Sequence, residues 1–555
     1  MGELAVARCP SVYLAKVCSP WTLIAAALVL SALVGRAWAV DYYVSTTGSD
    51  TVAGTSLKTA WRTIPKANES VAPGDTVFIG GGLYSETISP ARSGLAHQRI
   101  TYKALPGEEV TLTGVDRGIV MRDRAYVTID GIDIRGTQMY VLLDNSHDIW
   151  IRDGVFDEST LRQGGPKGIL IINDSHHNRI QRCQIGRAGY VRIDAASKTG
   201  LEDMGGLINI GNDVETTDDS HYNLIEDNHL AYGGHHVLLL ASSFNVVRNN
   251  TFHNEPWMPD PTEPGRLFGN RNIGGGGGNA GRNLIEGNRI AFAGRPPDDD
   301  GAYGIELASP QNIYRHNVFD RNGTAGVGLH SKWHGEASGN HVYGNTFYGN
   351  GADETIEGFH KGGISIQNYA GVAPRANVIK NNLFYRDHTP DDRFHQQGVF
   401  AVGGNVQLEE QTLAGNWKNA GDPLFVAEPS GDALPEESPD VRLPDLDQQD
   451  FHLTSGSPCI DAGVFLTQTI GDGQGREIRV VDAGYFTDGW GIIDGDRVQL
   501  EGMTNWAQVL EVDYDQDTLR LDRDVVWHDG QGVSLSYRGG GPDMGAYEFS
   551  DGAAE

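Results

Sequence analysis

Asn223–Leu230 reads NLIEDNHL, Asn245–Phe252 reads NVVRNNTF, Asn283–Ile290 reads NLIEGNRI and Asn312–Phe319 reads NIYRHNVF. The pattern continues as NHVYGNTF from Asn340 and NVIKNNLF from Asn377. Its sixth position is Asn228, Asn250, Asn288, Asn317, Asn345 and Asn382, and its eighth is Leu230, Phe252, Ile290, Phe319, Phe347 and Phe384. A supersecondary unit that recurs this way marks a solenoid, in which each coil buries its apolar face only against its neighbours.

Outward from this repeat, a further apolar stretch accompanies each copy: GILIIN before Asn178, GGLINI from Gly205, HHVLLL from His235, YGIELA from Tyr303, AGVGLH from Ala325 and GGISIQ from Gly362. Ile305, Glu306 and Leu307 alternate with the period of two that belongs to strands. Two short strands per coil are therefore expected, stacked into parallel sheets. The Asn column is expected to form an amide ladder inside a turn. In the copy from Asn178 its place is taken by Cys183, read as a small buried thiol. WRTIPKANESV from Trp61 has the spacing of a short amphipathic helix that would cap the open N-terminal edge.

The ends and the composition narrow the class. Residues 1–39 read as an export signal: Arg8 and Lys16, an apolar run from Trp21 to Val34, then Ala37-Trp38-Ala39 as the cleavage site. The run is shorter than the ~20 residues that cross a bilayer. A secreted or periplasmic chain with no membrane span after cleavage is expected. Cys9 and Cys18 would leave with the signal, and Cys183 and Cys459 lie too far apart in sequence for a zinc or redox motif. The chain holds 73 Gly and carries a formal charge of -30, which disfavours nucleic acid as a partner and requires a locally basic groove for an anionic substrate.

DYYVSTTGSD from Asp41, TAWRTIPKA, PGDTVFIGGGLYSETI, SGSPCIDAG from Ser455 and PDMGAYEF from Pro542 resemble the opening and closing motifs of secreted bacterial right-handed β-helix proteins of the pectate-lyase-like superfamily. The resemblance implies an all-β, right-handed parallel β-helix and carbohydrate chemistry as a class, with a polysaccharide substrate. That superfamily holds polysaccharide lyases, glycoside hydrolases and uronate epimerases. The polygalacturonase set of Asn-x-Asp, Asp-Asp, Gly-His-Gly and Arg-x-Lys is not found here, nor is the Asp-Pro-His-Asp of mannuronan epimerases. The organisation expected is 1–39 signal, 40–479 β-helix, 480–538 a small β-barrel-like insert that covers the C-terminal edge or, alternatively, serves as an accessory carbohydrate-binding or docking module, and 539–555 the closing segment of the β-helix.

Chemistry is sought where insertions crowd the second strand. Asn209, Glu306 and Ser365 fall at comparable places on their coils, with His330 and Gln367 one step further. The insertions add Glu255, Arg266, Arg271, Asp298-Asp299-Asp300 and Lys332. β-Elimination of a uronate needs carboxylate neutralisation, a base for the C5 proton and an acid for the leaving oxygen. Lys332 or His330 is expected as base, Arg271 as acid or clamp, and Glu306 as a calcium or sugar ligand. Alginate and chondroitin lyases of this fold use Lys and Arg beside calcium ligands, and Asp298, Asp299 and Asp300 are the candidate calcium ligands here. A glycosidase would use paired carboxyls from Glu255, Glu306 and Asp299. His235, His236, Trp257, Arg266, Trp333, Asn209 and Gln367 are candidate sugar contacts. A non-catalytic surface protein would have a blander outer face. Gly274–Gly278 has no phosphate-loop Lys-Ser/Thr after it and is read as close backbone packing.

Overall fold

A computed structural model describes residues 39–550, apart from 161–166, 189–191, 194–200, 203–204, 212–219, 260–266, 269, 278–279, 295–300, 333–334, 352–360, 370, 389–398 and 430–445. Three long sheets of 13, 12 and 10 strands wind through the chain. Their strands pair in parallel with the coil before and the coil after. Each coil thus contributes three strands, not the two expected.

The third strand comes from a break inside the eight-residue motif. NLIEDNHL supplies Leu224–Glu226 to the 13-stranded sheet and His229–Ala231 to the 12-stranded sheet. Its fifth position is left-handed in every copy: Asp227, Asn249, Gly287, His316, Gly344 and Asn381 have φ between 53 and 63°. Gly takes this conformation freely and Asn, Asp and His tolerate it best. The strand therefore ends there and turns a corner.

The Asn ladder forms, and in duplicate. Asn178, Asn223, Asn245, Asn283, Asn312, Asn340 and Asn377 each donate a backbone N–H to the side-chain oxygen of the next rung, at 2.9–3.2 Å, ending on Gln411. The sixth-position column runs from Asn228 to Asn382 and ends on Asn416. Each rung satisfies polar groups that burial would otherwise leave costly. Inside, Phe319, Phe347 and Phe384 stack at 4.6 and 4.5 Å. Cys183 is a buried thiol, pushed up to about 12 by desolvation.

The N-terminal cap is the helix Ile64–Ser70, whose N-cap Thr63 accepts from the Lys66 N–H at 3.2 Å. The C-terminal module differs from expectation in extent and position. Its six-stranded antiparallel sheet begins earlier, with Thr467–Gln468 and Gly473–Arg479, and ends at Gly532–Leu535. It packs along the flank of the solenoid instead of over its end. Leu224, Val246, Leu284, Ile313, Tyr343 and Val378, on successive coils, share a core with its Val498, Val509, Leu519 and Val533. Arg315 reaches across to Asp496 with two bonds of 2.7 and 2.6 Å. SGSPCIDAG and PDMGAYEF close a separate flank, where Cys459 and Ala546 pack on Val318, Tyr348 and Leu383. Among the described residues no helix is long and apolar enough to cross a membrane.

Candidate functional site

The candidate site lies on the 10-stranded sheet. Its inward column, Ile208, Leu238, Ile273, Ile305, Val327 and Ile364, is wholly buried and fixes the register. The next residue on each strand forms the neighbouring column: Asn209, Leu239, Gly274, Glu306, Gly328 and Ser365. Glu306 is flanked on both sides by glycine. The two gaps are filled by side chains folding back over the sheet. A Cβ on Gly274 would stand 2.8 Å from Cδ of Arg271, and one on Gly328 would stand 2.8 Å from Cε1 of His330.

Both side chains end on the Glu306 carboxylate. Arg271 Nη1 lies 2.9 Å from Oε2, His330 Nδ1 lies 2.7 Å from Oε1, and Lys332 Nζ contacts Oε1. Burial alone would raise the Glu306 carboxyl, but the charges of Arg271, Lys332 and His330 outweigh it and hold it well below the usual range. His330 Nε2 meets Ser365 Oγ at 3.1 Å. Tyr303 and Tyr369 stand edge-on to the His330 ring at 5.0 and 5.2 Å. Tyr369 is 47% exposed, and the Lys332 ammonium lies 5.3 Å from its ring centroid. Half-buried His235 stacks on His236 at 4.8 Å. Desolvation, reinforced by the Arg271 charge, pushes His235 down to about 3, so its imidazole is neutral at neutral pH. Burial, then His235 and Arg271, hold His236 well below its ordinary value.

Residues 42–206 match the family described as Pel9A-like, right handed beta helix region, and residues 209–352 match the right handed beta helix region family. The chain is a right-handed β-helix protein. A stretch of 164 residues is 26% identical to Pectate lyase PEL9 of Emericella nidulans, covering 27% of this chain and 40% of that relative, so the chain spans less than half of the relative's length. Among solved structures, pectate lyase Pel9A has a TM-score of 0.43 at 13% identity over 92% of this chain and 96% of that one. The GH136 lacto-N-biosidase from Eubacterium ramulus has a TM-score of 0.43 at 13% identity over 71% and 70%.

In this β-helix protein, Arg271, Glu306, His330 and Lys332 form one cluster, but not in the arrangement expected. Glu306 was expected to meet calcium or sugar, yet it is fully buried and its oxygens meet protein cations. His330 was a candidate base, but both ring nitrogens are engaged and the ring is inaccessible. Arg271 is 1% exposed and spent on Glu306. Asn209 and Gln367 do not reach outward: they lie flat over Gly206 and Gly403, whose Cβ atoms would stand 2.5 and 2.2 Å from them.

Glu255 is sealed elsewhere. It accepts from Tyr232 Oη at 2.6 Å and meets His253 Nδ1 at 2.7 Å. Trp257 leans on Tyr232 at 5.9 Å and donates its indole N–H to the Gly233 carbonyl at 3.2 Å, the geometry of a loop anchor. Arg266, Trp333, Asp298, Asp299 and Asp300 lie outside the described residues. Among the described residues no group of three or more His, Cys, Asp or Glu side chains is placed to hold a metal. The glycine run is close packing: a Cβ on Gly275 would stand 2.5 Å from the Leu240 carbonyl oxygen. Tyr369 was not among the sequence candidates, although it follows Gln367 by two residues, just past the strand Gly362–Asn368.

Proposed function

We propose that this β-helix protein is a polysaccharide lyase that cleaves a uronate-containing polymer by β-elimination, with Lys332 taking the C5 proton. The observation that carries the proposal is the position of Lys332 at the rim of a buried cationic cluster, beside the exposed ring of Tyr369. Lys332 releases its proton to solvent and its amine takes the C5 proton; the C4–O bond breaks as the C4–C5 double bond forms, and the departing oxygen takes a proton from water. Arg271 stays paired with Glu306 and acts through it, fixing the carboxylate against which Lys332 is placed. Tyr369 supplies a ring face on which a pyranose can stack. Glu306 and His330 act as positioning residues: they hold Lys332 and Arg271 in place.

The family descriptions and the stretch shared with a protein named as a pectate lyase support carbohydrate chemistry on this scaffold. Calcium belongs to the proposal only through Asp298, Asp299 and Asp300, and no step is assigned to it. The hydrolase reading has less support, because Glu255 is sealed in hydrogen bonds to Tyr232 and His253 and Glu306 in an ion pair.

The test is ultraviolet absorbance over a panel of uronate polymers, with and without chelator, for the wild type and Lys332→Ala. Elimination leaves an unsaturated, absorbing uronate. A rise that Lys332→Ala abolishes is expected. Reducing ends that appear without absorbance would replace the lyase with a hydrolase.

A further inference from the structure

A cavity lies on the other side of the solenoid, where the 13-stranded sheet meets the C-terminal module. Its volume is about 300 Å³, at the lower end of small-molecule sites and enough for one sugar ring. The residue before each motif's first Asn forms a column of corners: Tyr222, Phe244, Arg282, Gln311, Gly339 and Ala376, all with φ between 52 and 66°. Where this column is bulky the seam is filled: Phe244 meets Trp490 of the module edge-on at 5.5 Å. From Arg282 and Gln311 to the small Gly339 and Ala376 the seam opens, and all four residues line the cavity.

The opposite wall brings two aromatic rings, Trp490 and Tyr514, and three carboxylates, Asp482, Asp515 and Asp517. The basic side chains on the lining are already engaged. Arg282 lies over Tyr514 at 4.8 Å, and His341 Nε2 meets Asp482 at 3.0 Å. Carboxylates outnumber cations, so a uronate would be repelled, whereas hydroxyl groups donate to carboxylates and pyranose C–H faces pack on aromatic rings.

We propose that this seam is a binding site for a neutral, hydroxyl-rich sugar unit, separate from the Glu306 cluster on the 10-stranded sheet. The C-terminal module then acts as half of a carbohydrate-binding site that the coil corners complete. The proposal does not depend on the reaction assigned above.

The full chain carrying Lys332→Ala, to prevent turnover, is titrated calorimetrically with neutral methyl hexosides, with the matching uronic acids and with calcium chloride. Saturable one-to-one binding of a neutral glycoside is expected, weakened at least tenfold by Asp515→Ala and lost in Ala376→Tyr. Asp515 is exposed, so its variant keeps the wild-type melting temperature and remains informative should Ala376→Tyr disturb the fold. Absence of binding by every neutral glycoside would overturn the proposal. So would binding that survives both substitutions, or uronic acid or calcium binding that Asp515→Ala removes.

Discussion

Glu306 and Gly328 face each other on neighbouring strands, and the missing side chain of Gly328 gives His330 the space in which to reach Glu306. Gly328→Ala puts a methyl group 2.8 Å from Cε1 of His330, so the ring must move and Glu306 loses a donor. Turnover is expected to fall by about a hundredfold, since an ångström of misplacement near a reacting centre costs that much. Comparison of kcat with KM checks it: kcat should carry the loss, and unchanged kcat would remove His330 from the positioning of Lys332.

Glu306→Gln removes the carboxylate that meets Arg271 and Lys332. Breaking a buried ion pair from one side typically costs roughly 3–5 kcal/mol. Chemical denaturation should show a loss of that order. A loss under about 1 kcal/mol would mean that the cations relax into water, as exposed pairs do.

Asn317 is an interior rung: it accepts from Asn288 and donates to Asn345 and to the Ile285 carbonyl. Asn317→Ala leaves buried groups on both adjacent coils without partners, for about 1–3 kcal/mol. Hydrogen exchange should rise locally, at the strands Leu284–Glu286 and His341–Tyr343. Uniform loss of protection would instead indicate one cooperative unit.

Asp387 ends a third, shorter ladder, accepting from the backbone and side chain of Asn350, both at 2.8 Å. Desolvation pushes its carboxyl up to about 7, above the ordinary value of about 3.9. The folded state therefore binds a proton that the unfolded chain releases. The stability from this group is fully present below pH ~4 and is lost as pH rises through ~7. Melting temperatures of the wild type and Asp387→Asn should diverge across that window in favour of the variant. Parallel curves would place the titration elsewhere.

The solenoid was legible because stacking forces chemical identity at equivalent positions, so Asn228 through Asn382 repeat visibly. The third strand was hidden within the same eight residues: a left-handed fifth position is satisfied by Asp, Asn, Gly or His alike, and so leaves no single-letter signature. Lys332, His330, Arg271 and Glu306 were found from residue type and insertion. Their mutual pairing depends on which residues of coils about 25 to 35 apart in sequence come into register. The role of Gly274 and Gly328 appears only once Glu306 stands between them. Glu255 looked accessible in HNEPW because its burial is supplied by Tyr232, a coil away. The module's docking flank was missed because Leu224, Val246 and Leu284 read equally well as interior residues.

The amide ladders all point one way. In each, the rung on the earlier coil donates and the rung on the later coil accepts, down to Gln411, Asn416 and Asp387. Such chains polarise along their length, and the shaft carries an arrow from its first coil to its last. A nascent chain leaving its N-terminal coils behind exposes a row of amide donors awaiting the oxygen of the next turn. Growth by duplication of a coil in the middle preserves this grammar, while a coil added past the end must bring its own terminal acceptor.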